Sequence, residues 1–238
     1  MSSFRDSSGK EDGQSRPSIL VFDVNETLLD IESIGPLFER IFDDKTVLRE
    51  WFNALVLYSN AITLAAIYTT FFSLGQGILQ MLAAIYNVPV RDSDVEELKT
   101  RMLTMPAHPD VPAGLRRLKE AGFRLVTLTN SPQESQLKTA GIDHFFERSF
   151  SVDSVRRFKP APQCYQMVAE TLDVPLSSIC MVAAHVWDTI GAQSVGCFGA
   201  LLARPGNAPL PVQGMPQPQV VAPDMNGMAD QIISLWRK

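Results

Sequence analysis

The chain has 238 residues, 45% hydrophobic and 20% charged. That is enough apolar material for a sizeable core and too little charge for a disordered chain, and at this length one large α/β domain or a core with a smaller insertion both fit. Twenty-one Lys and Arg against 26 Asp and Glu leave a net charge of −5 with no basic cluster longer than a pair, which disfavours a nucleic-acid surface. Residues 1–17, rich in Ser, Gly and charge, lack the charged-then-apolar layout of a signal segment and read as a disordered tail on a cytoplasmic protein.

Residues 18–22 (SILVF) form a short apolar run that ends at Asp23, the pattern of a buried parallel strand leading into a functional loop. From 34 to 106 the pattern is helical, and no Asp, Glu, Lys, Arg or His occurs between Trp51 and Val90. A gap of that length invites a membrane-spanning reading. The amides and hydroxyls of Asn53, Asn60, Thr63, Thr69, Thr70, Gln76 and Gln80 interrupt it, so two helices packed on both sides are expected and no membrane insertion. Further strands are expected at 123–128, 179–183 and 198–203, with helices at 111–121 and 161–172 between them. The Pro-rich stretch 205–223 reads as a surface loop, and Asp224 as the N-cap of a last helix at 225–236. Alternating strands and helices give an α/β class: a Rossmann-like parallel sheet core at 18–33 and 107–238, carrying an inserted helical cap at 34–106.

Cys164, Cys180 and Cys197 are too scattered for a zinc site or disulfide framework and read as buried thiols in a reducing compartment.

In an open parallel sheet ligands bind beyond the carboxyl ends of the strands. Asp23, Asn25 and Thr27 follow the first strand, Thr129, Asn130 and Ser131 the second, and His185 and Asp188 the third. Lys159 lies in RRFKPAP between them. Two carboxylates and a lysine converging there would supply a nucleophile, a countercharge that keeps it ionised, and a second carboxylate to activate water.

DVNETL, LTNS, KP and AHVWD, in this order and at these spacings, resemble the four motifs of the haloacid dehalogenase superfamily over about residues 18–204. More narrowly, FDVNETLLD, FSVDSVRRFKPAPQCY and VAAHVWDTIGAQSVG are similar to the type II L-2-haloacid dehalogenases. The resemblance implies a hydrolase of short 2-haloacids, usually a homodimer, with no cofactor or metal. Asp23 would attack the α-carbon, Lys159 would keep it ionised, and Asp188 would activate the water that hydrolyses the ester. Thr27, Thr129 and Asn130 would orient Asp23 or bind the substrate carboxylate, and Tyr165 would support the network. Val24, Asn25 and Phe52 would border the substrate. Trp187 and Phe71 would either line a halide pocket or pack as plain core.

Phosphatases of the superfamily carry an Asp two positions after the nucleophile to protonate the leaving oxygen, and Asn25 stands there instead. A phosphatase and a weakly active binding protein on the same fold remain the alternatives. The type II enzymes place an arginine directly after a cap Trp, whereas here Trp51 is followed by Phe52, with Arg49 as a weak substitute. They also carry a Ser and an Asn where Ala183 and His185 stand, so His185 becomes either a base assisting Asp188 or a structural donor. The connection from 130 to 141 is about three residues tighter than expected for those enzymes, which would either shift Asn130 or shorten the helix that follows.

Overall fold

The computed structural model describes residues 16–131 and 134–237, so all but the last two residues of the expected N-terminal tail lie outside the described set. Six parallel strands form one sheet in the order β3-β2-β1-β4-β5-β6. They are β1 (Ile19–Phe22), β2 (Arg124–Thr129), β3 (Arg148–Ser151), β4 (Ile179–Ala183), β5 (Phe198–Leu202) and β6 (Val220–Ala222). The central strands β1 and β4 are buried along their whole length, as expected of strands covered by helices on both faces. Phe22 pairs with Thr127 of β2 and with Val182 of β4. The chain order reverses on either side of β1, and the carboxyl end of such a strand is where a doubly wound sheet opens a crevice.

Three expectations are corrected here. Strand β2 starts one residue late, because the preceding helix α5 (Val111–Glu120) closes through Gly122, at φ +84°, and Phe123 N–H on the Leu118 carbonyl. Both outer strands are absent from the sequence reading. β3 (RSFS) has one fully buried residue, Phe150, and β6 is three residues inside the stretch read as loop; strands this short at a sheet edge carry almost no periodic signal.

Between β1 and α5 lie the helices α1 (Gly35–Phe42), α2 (Val47–Leu64), α3 (Phe71–Tyr86) and α4 (Asp92–Leu103). The uncharged stretch supplies most of α2 and all of α3. Thr70 caps α3 by accepting from Ser73 N–H, and Asn87 ends it in the left-handed conformation, a turn that Asn tolerates. Gly75 lets the two helices close: a Cβ there would stand 2.9 Å from the Trp51 ring, and Trp51 Nε1 donates to the Gly75 carbonyl at 2.8 Å. Among the described residues no helix is long and apolar enough to cross a membrane.

After β2 come α6 (Glu134–Thr139), α7 (Pro162–Leu172), α8 (Val186–Ser194) and the last helix α9 (Met225–Trp236). Asp224 caps α9 by accepting from Gly227 N–H at 2.8 Å. Gly191 of α8 faces Pro160 and Tyr165, where a Cβ would lie 2.5 and 2.6 Å from their atoms. Gly191→Ala should therefore destabilise the fold by about 1–3 kcal/mol through overpacking, read as a lower urea midpoint. An unchanged midpoint would mean that this side of the site is loosely packed.

Candidate active site

Four chain segments meet at the carboxyl end of β1. Asp23 follows β1 directly, and its backbone N–H donates to the Val182 carbonyl of β4. Thr27 donates to Asp23 Oδ2 at 2.7 Å and accepts from Ala184 N–H at 2.8 Å, so one hydroxyl fixes the carboxylate and ties its loop to the end of β4. Arg204, just beyond β5, braces the same loop: it donates to the Thr27 carbonyl at 3.2 Å and to both oxygens of Asp110.

Lys159 is buried among acceptors. Its ammonium donates to Asp23 Oδ1 at 2.9 Å, Asp188 Oδ2 at 2.6 Å and the Leu128 carbonyl at 2.9 Å, which uses all three of its protons. Its backbone N–H donates to Asn130 Oδ1 at 3.0 Å. The second Asp188 oxygen accepts from the Tyr165 hydroxyl at 2.7 Å. Burial alone would raise the Asp23 pKa, but the Lys159 charge, with His185 adding to it, holds the carboxyl well below the usual range. Burial disfavours the Lys159 cation, yet Asp188 and Asp23 raise its pKa above the ordinary value. Burial, joined by Asp188, keeps the Tyr165 hydroxyl protonated far above its ordinary range. Asp23 is thus a water-poor carboxylate that stays ionised.

A second charged cluster adjoins the first. Glu26 is 2% exposed with φ +66°, a left-handed conformation that non-glycine residues adopt at a cost and that concentrates at functional sites. Its carboxylate holds His185 Nε2 at 2.8 Å, Asn207 Nδ2 at 2.9 Å and the Arg49 guanidinium. Arg49 also pairs with Glu32 at 2.5 Å. The other nitrogen of His185, Nδ1, makes no hydrogen bond but stands 3.8 Å from Asp23 Oδ2, within ion-pair range. Burial lowers the His185 pKa, but the Asp23 and Glu26 carboxylates outweigh it and raise it to about 9. The imidazole lies between the rings of Phe52 and Trp187, with centroids 5.4 and 5.3 Å away.

The cleft above Asp23 is lined by Asp23, Asn25, Phe52, Val56, Phe71, Asn130, His185 and Trp187, and it leaves only about 10 Å³ for water centres, roughly one molecule. Most of the residues singled out in the sequence gather there or directly behind it. Phe71 and Trp187 both line the cleft, and Phe71 belongs to the hydrophobic core as well. Asn130 reaches the cleft while holding the Lys159 backbone.

Other expected roles are corrected by geometry. Asp188 is fully buried and is not among the residues that line the cleft; one oxygen accepts from Lys159 and the other from Tyr165, so it anchors both side chains. Thr129 turns its hydroxyl to Ser131 N–H at 3.0 Å and reaches neither Asp23 nor the cleft. Val24 packs into the core, its carbonyl closing the loop by accepting from Leu28 and Leu29. His185 faces Asp23 and Glu26 and does not assist Asp188. Glu26 is missed by the sequence reading because a lone acid inside a loop motif has no spacing signal; the available clue was His185 itself, a buried base that needs an acid partner.

Residues 17–196 match the family model for hydrolases described as haloacid dehalogenase-like. The (S)-2-haloacid dehalogenase 4A of Burkholderia cepacia is 29% identical over 197 residues, spanning 79% of this chain and 84% of that one. The haloacetate dehalogenase H-2 of Moraxella sp. (strain B) is 27% identical over 184 residues, with 74% and 81% covered. Among solved structures, an L-2-haloacid dehalogenase superposes with a TM-score of 0.85 at 26% identity, covering 91% of this chain and 99% of that one. With the motif-bearing strand ends converging as described and the family model spanning most of the chain, the protein belongs to the haloacid dehalogenase-like hydrolases.

Proposed function

We propose that the protein is a hydrolytic dehalogenase of short 2-haloacids that works through an ester on Asp23. The observation that carries this reading is the placement of Asp23, ionised in a nearly dry cleft with Lys159 on one oxygen and Thr27 on the other. An Asp23 oxygen attacks the α-carbon as the carbon–halogen bond breaks, and the bonding pair leaves with the halide. Water then adds to the ester carbonyl carbon, releasing the 2-hydroxy acid with inversion at its α-carbon and restoring the carboxylate. The relatives named for (S)-2-haloacids and haloacetate support this substrate class.

The water needs a base, and Asp188, buried behind Lys159 and away from the cleft, is worse placed for this than His185. His185 Nδ1 is open and faces Asp23. Ester formation removes the Asp23 charge, one of two that hold the His185 proton, so that proton can leave with the halide; His185 then takes one from the attacking water. The sum is one haloacid and one water converted to hydroxy acid, halide and a proton.

Phosphate-ester cleavage fits less well. Asn25 cannot protonate a leaving oxygen, and its amide donates to Ser131 Oγ at 3.3 Å. A merely binding role leaves the tightly held charges around Asp23 without a purpose. The cap exposes Leu57, Leu64, Ile67 and Ile85, and we assign this apolar surface to a second copy of the chain. The three cysteines are buried free thiols, as suits a reducing cytoplasm.

Asp23→Asn should cut halide release from chloroacetate by on the order of 10³-fold or more. A single turnover of excess wild-type enzyme in ¹⁸O water should put the label on Asp23, with EDTA making no difference. Label elsewhere, or none, would refute the ester. Tyr165→Phe removes one bond to Asp188 and should slow kcat by about tenfold; full activity would show that the Asp188 arrangement does not matter. Sedimentation should give a dimer that Leu64→Glu splits, and a monomeric wild type would end the dimer assignment.

A further inference from the structure

Resting on the dehalogenase reading, we infer that His185 is the anion receiver of the cleft: its protonated Nδ1, held beside Asp23 between Phe52 and Trp187, takes the negative charge of the substrate, whether as its carboxylate or as the departing halide. The substrate class requires such a group, because a carboxylate must approach an ionised Asp23 and a halide must leave next to it. In the related type II enzymes an arginine follows the cap Trp. Phe52 stands there in this chain.

Elimination among the cations points to His185. Lys159 spends its three protons on Asp23, Asp188 and the Leu128 carbonyl. Arg49 is committed to Glu26 and Glu32. His185 borders the cleft, is 7% exposed, and has Nδ1 buried with no hydrogen-bond partner, facing only the Asp23 carboxylate at 3.8 Å. Asn25 Oδ1 in the same cleft also lacks a hydrogen bond, but it is an acceptor and cannot receive an anion; a buried donor left open is a place where an anionic ligand completes the bonding. Phe52 takes on a new part here: in place of a charge it packs against the imidazole, its ring tilted by 35°, while Trp187 stacks on it.

The proton on His185 depends on its neighbours. Asp23 and Glu26 face it from the loop after β1. Arg49 of α2 reaches it only through Glu26. Lys159 lies 5.8 Å from the Trp187 ring and Asp188 of α8 sits behind Lys159. The two facing carboxylates dominate and place the group near 9. The cation is therefore present below about pH 9 and lost above it, and anion affinity should follow.

Bromide and propionate, titrated separately by calorimetry against the intact protein, test this without turnover. Wild type should bind at least one of them saturably at pH 7 and at least tenfold more weakly at pH 10.5. His185→Gln should lose that affinity at both pH values. Asp23→Asn removes one of the two charges that hold the proton, so the pH midpoint of binding should fall below that of wild type. Bromide alone identifies the leaving-group site, propionate alone the carboxylate site, and competition a single shared site; each sustains the inference. No binding by wild type, unchanged binding by His185→Gln, or a flat pH profile overturns it. If His185→Gln does not fold, the ¹⁵N shifts of the wild-type His185 ring decide: bromide or propionate must move Nδ1 more than Nε2. Wild type that labels Asp23 but binds anions independently of pH would keep the dehalogenase reading and reject the receiver. Anion binding lost with His185 but no label on Asp23 would do the reverse.

Discussion

Lys159 is the point on which the site depends. An ammonium taken out of water is expensive unless every proton finds an acceptor, and here the acceptors come from three places in the sheet: Asp23 after β1, Leu128 within β2, and Asp188 in the helix after β4. The lysine itself arrives from the segment after β3, its backbone held by Asn130. One side chain therefore fixes the relative positions of four segments far apart in the chain. Deleting it would leave two carboxylates buried close together without compensation, a loss of about 3–5 kcal/mol. The arrangement that keeps Asp23 ionised is also what holds the carboxyl end of the sheet together.

The second cluster changes the charge balance around the nucleophile. Asp23, Asp188 and Glu26 face Lys159, Arg49 and a protonated His185, with Arg49 shared with the exposed Glu32 at the rim. On the proposed reaction, the substrate would bring one more negative charge and ester formation would remove one. The group best placed to register that change is His185, whose Nδ1 lies 3.8 Å from Asp23 and whose pKa is raised to about 9. Lys159 has too many close acceptors to give up its proton, and Arg49 is too strong a base.

Sequence and structure agree where the physical signal is strong and local. The strand at 179–183 and the helix at 225–236 coincide with β4 and α9, one an apolar run buried on both faces and the other opened by an Asp cap. Asp23, Lys159 and Asp188 are legible as charges that follow or separate apolar strands. What escapes is of another kind. The outer strands β3 and β6 are defined by pairing with a neighbour and not by their own pattern. Glu26 becomes significant only once the fold brings His185 and Arg49 around it, and the role of Asp188 depends on where Tyr165 points. Pairing and orientation are tertiary facts, and motif spacing does not encode them.

The gap in charge from 51 to 90 is a chemical decision about the cleft as well as an architectural feature. The cap contributes Phe52, Val56 and Phe71 to the wall, all apolar, and its nearest cation, Arg49, lies just outside the gap and is consumed by Glu26. A cap of this kind can select by size and exclude water, but it has no unspent charge with which to recognise an acid. Recognition of charge must then come from the core, on the same side as the nucleophile. On the proposed reading, this would tie affinity for the substrate to the ionisation of Asp23, because the carboxylate assigned the attack also helps keep the imidazole protonated.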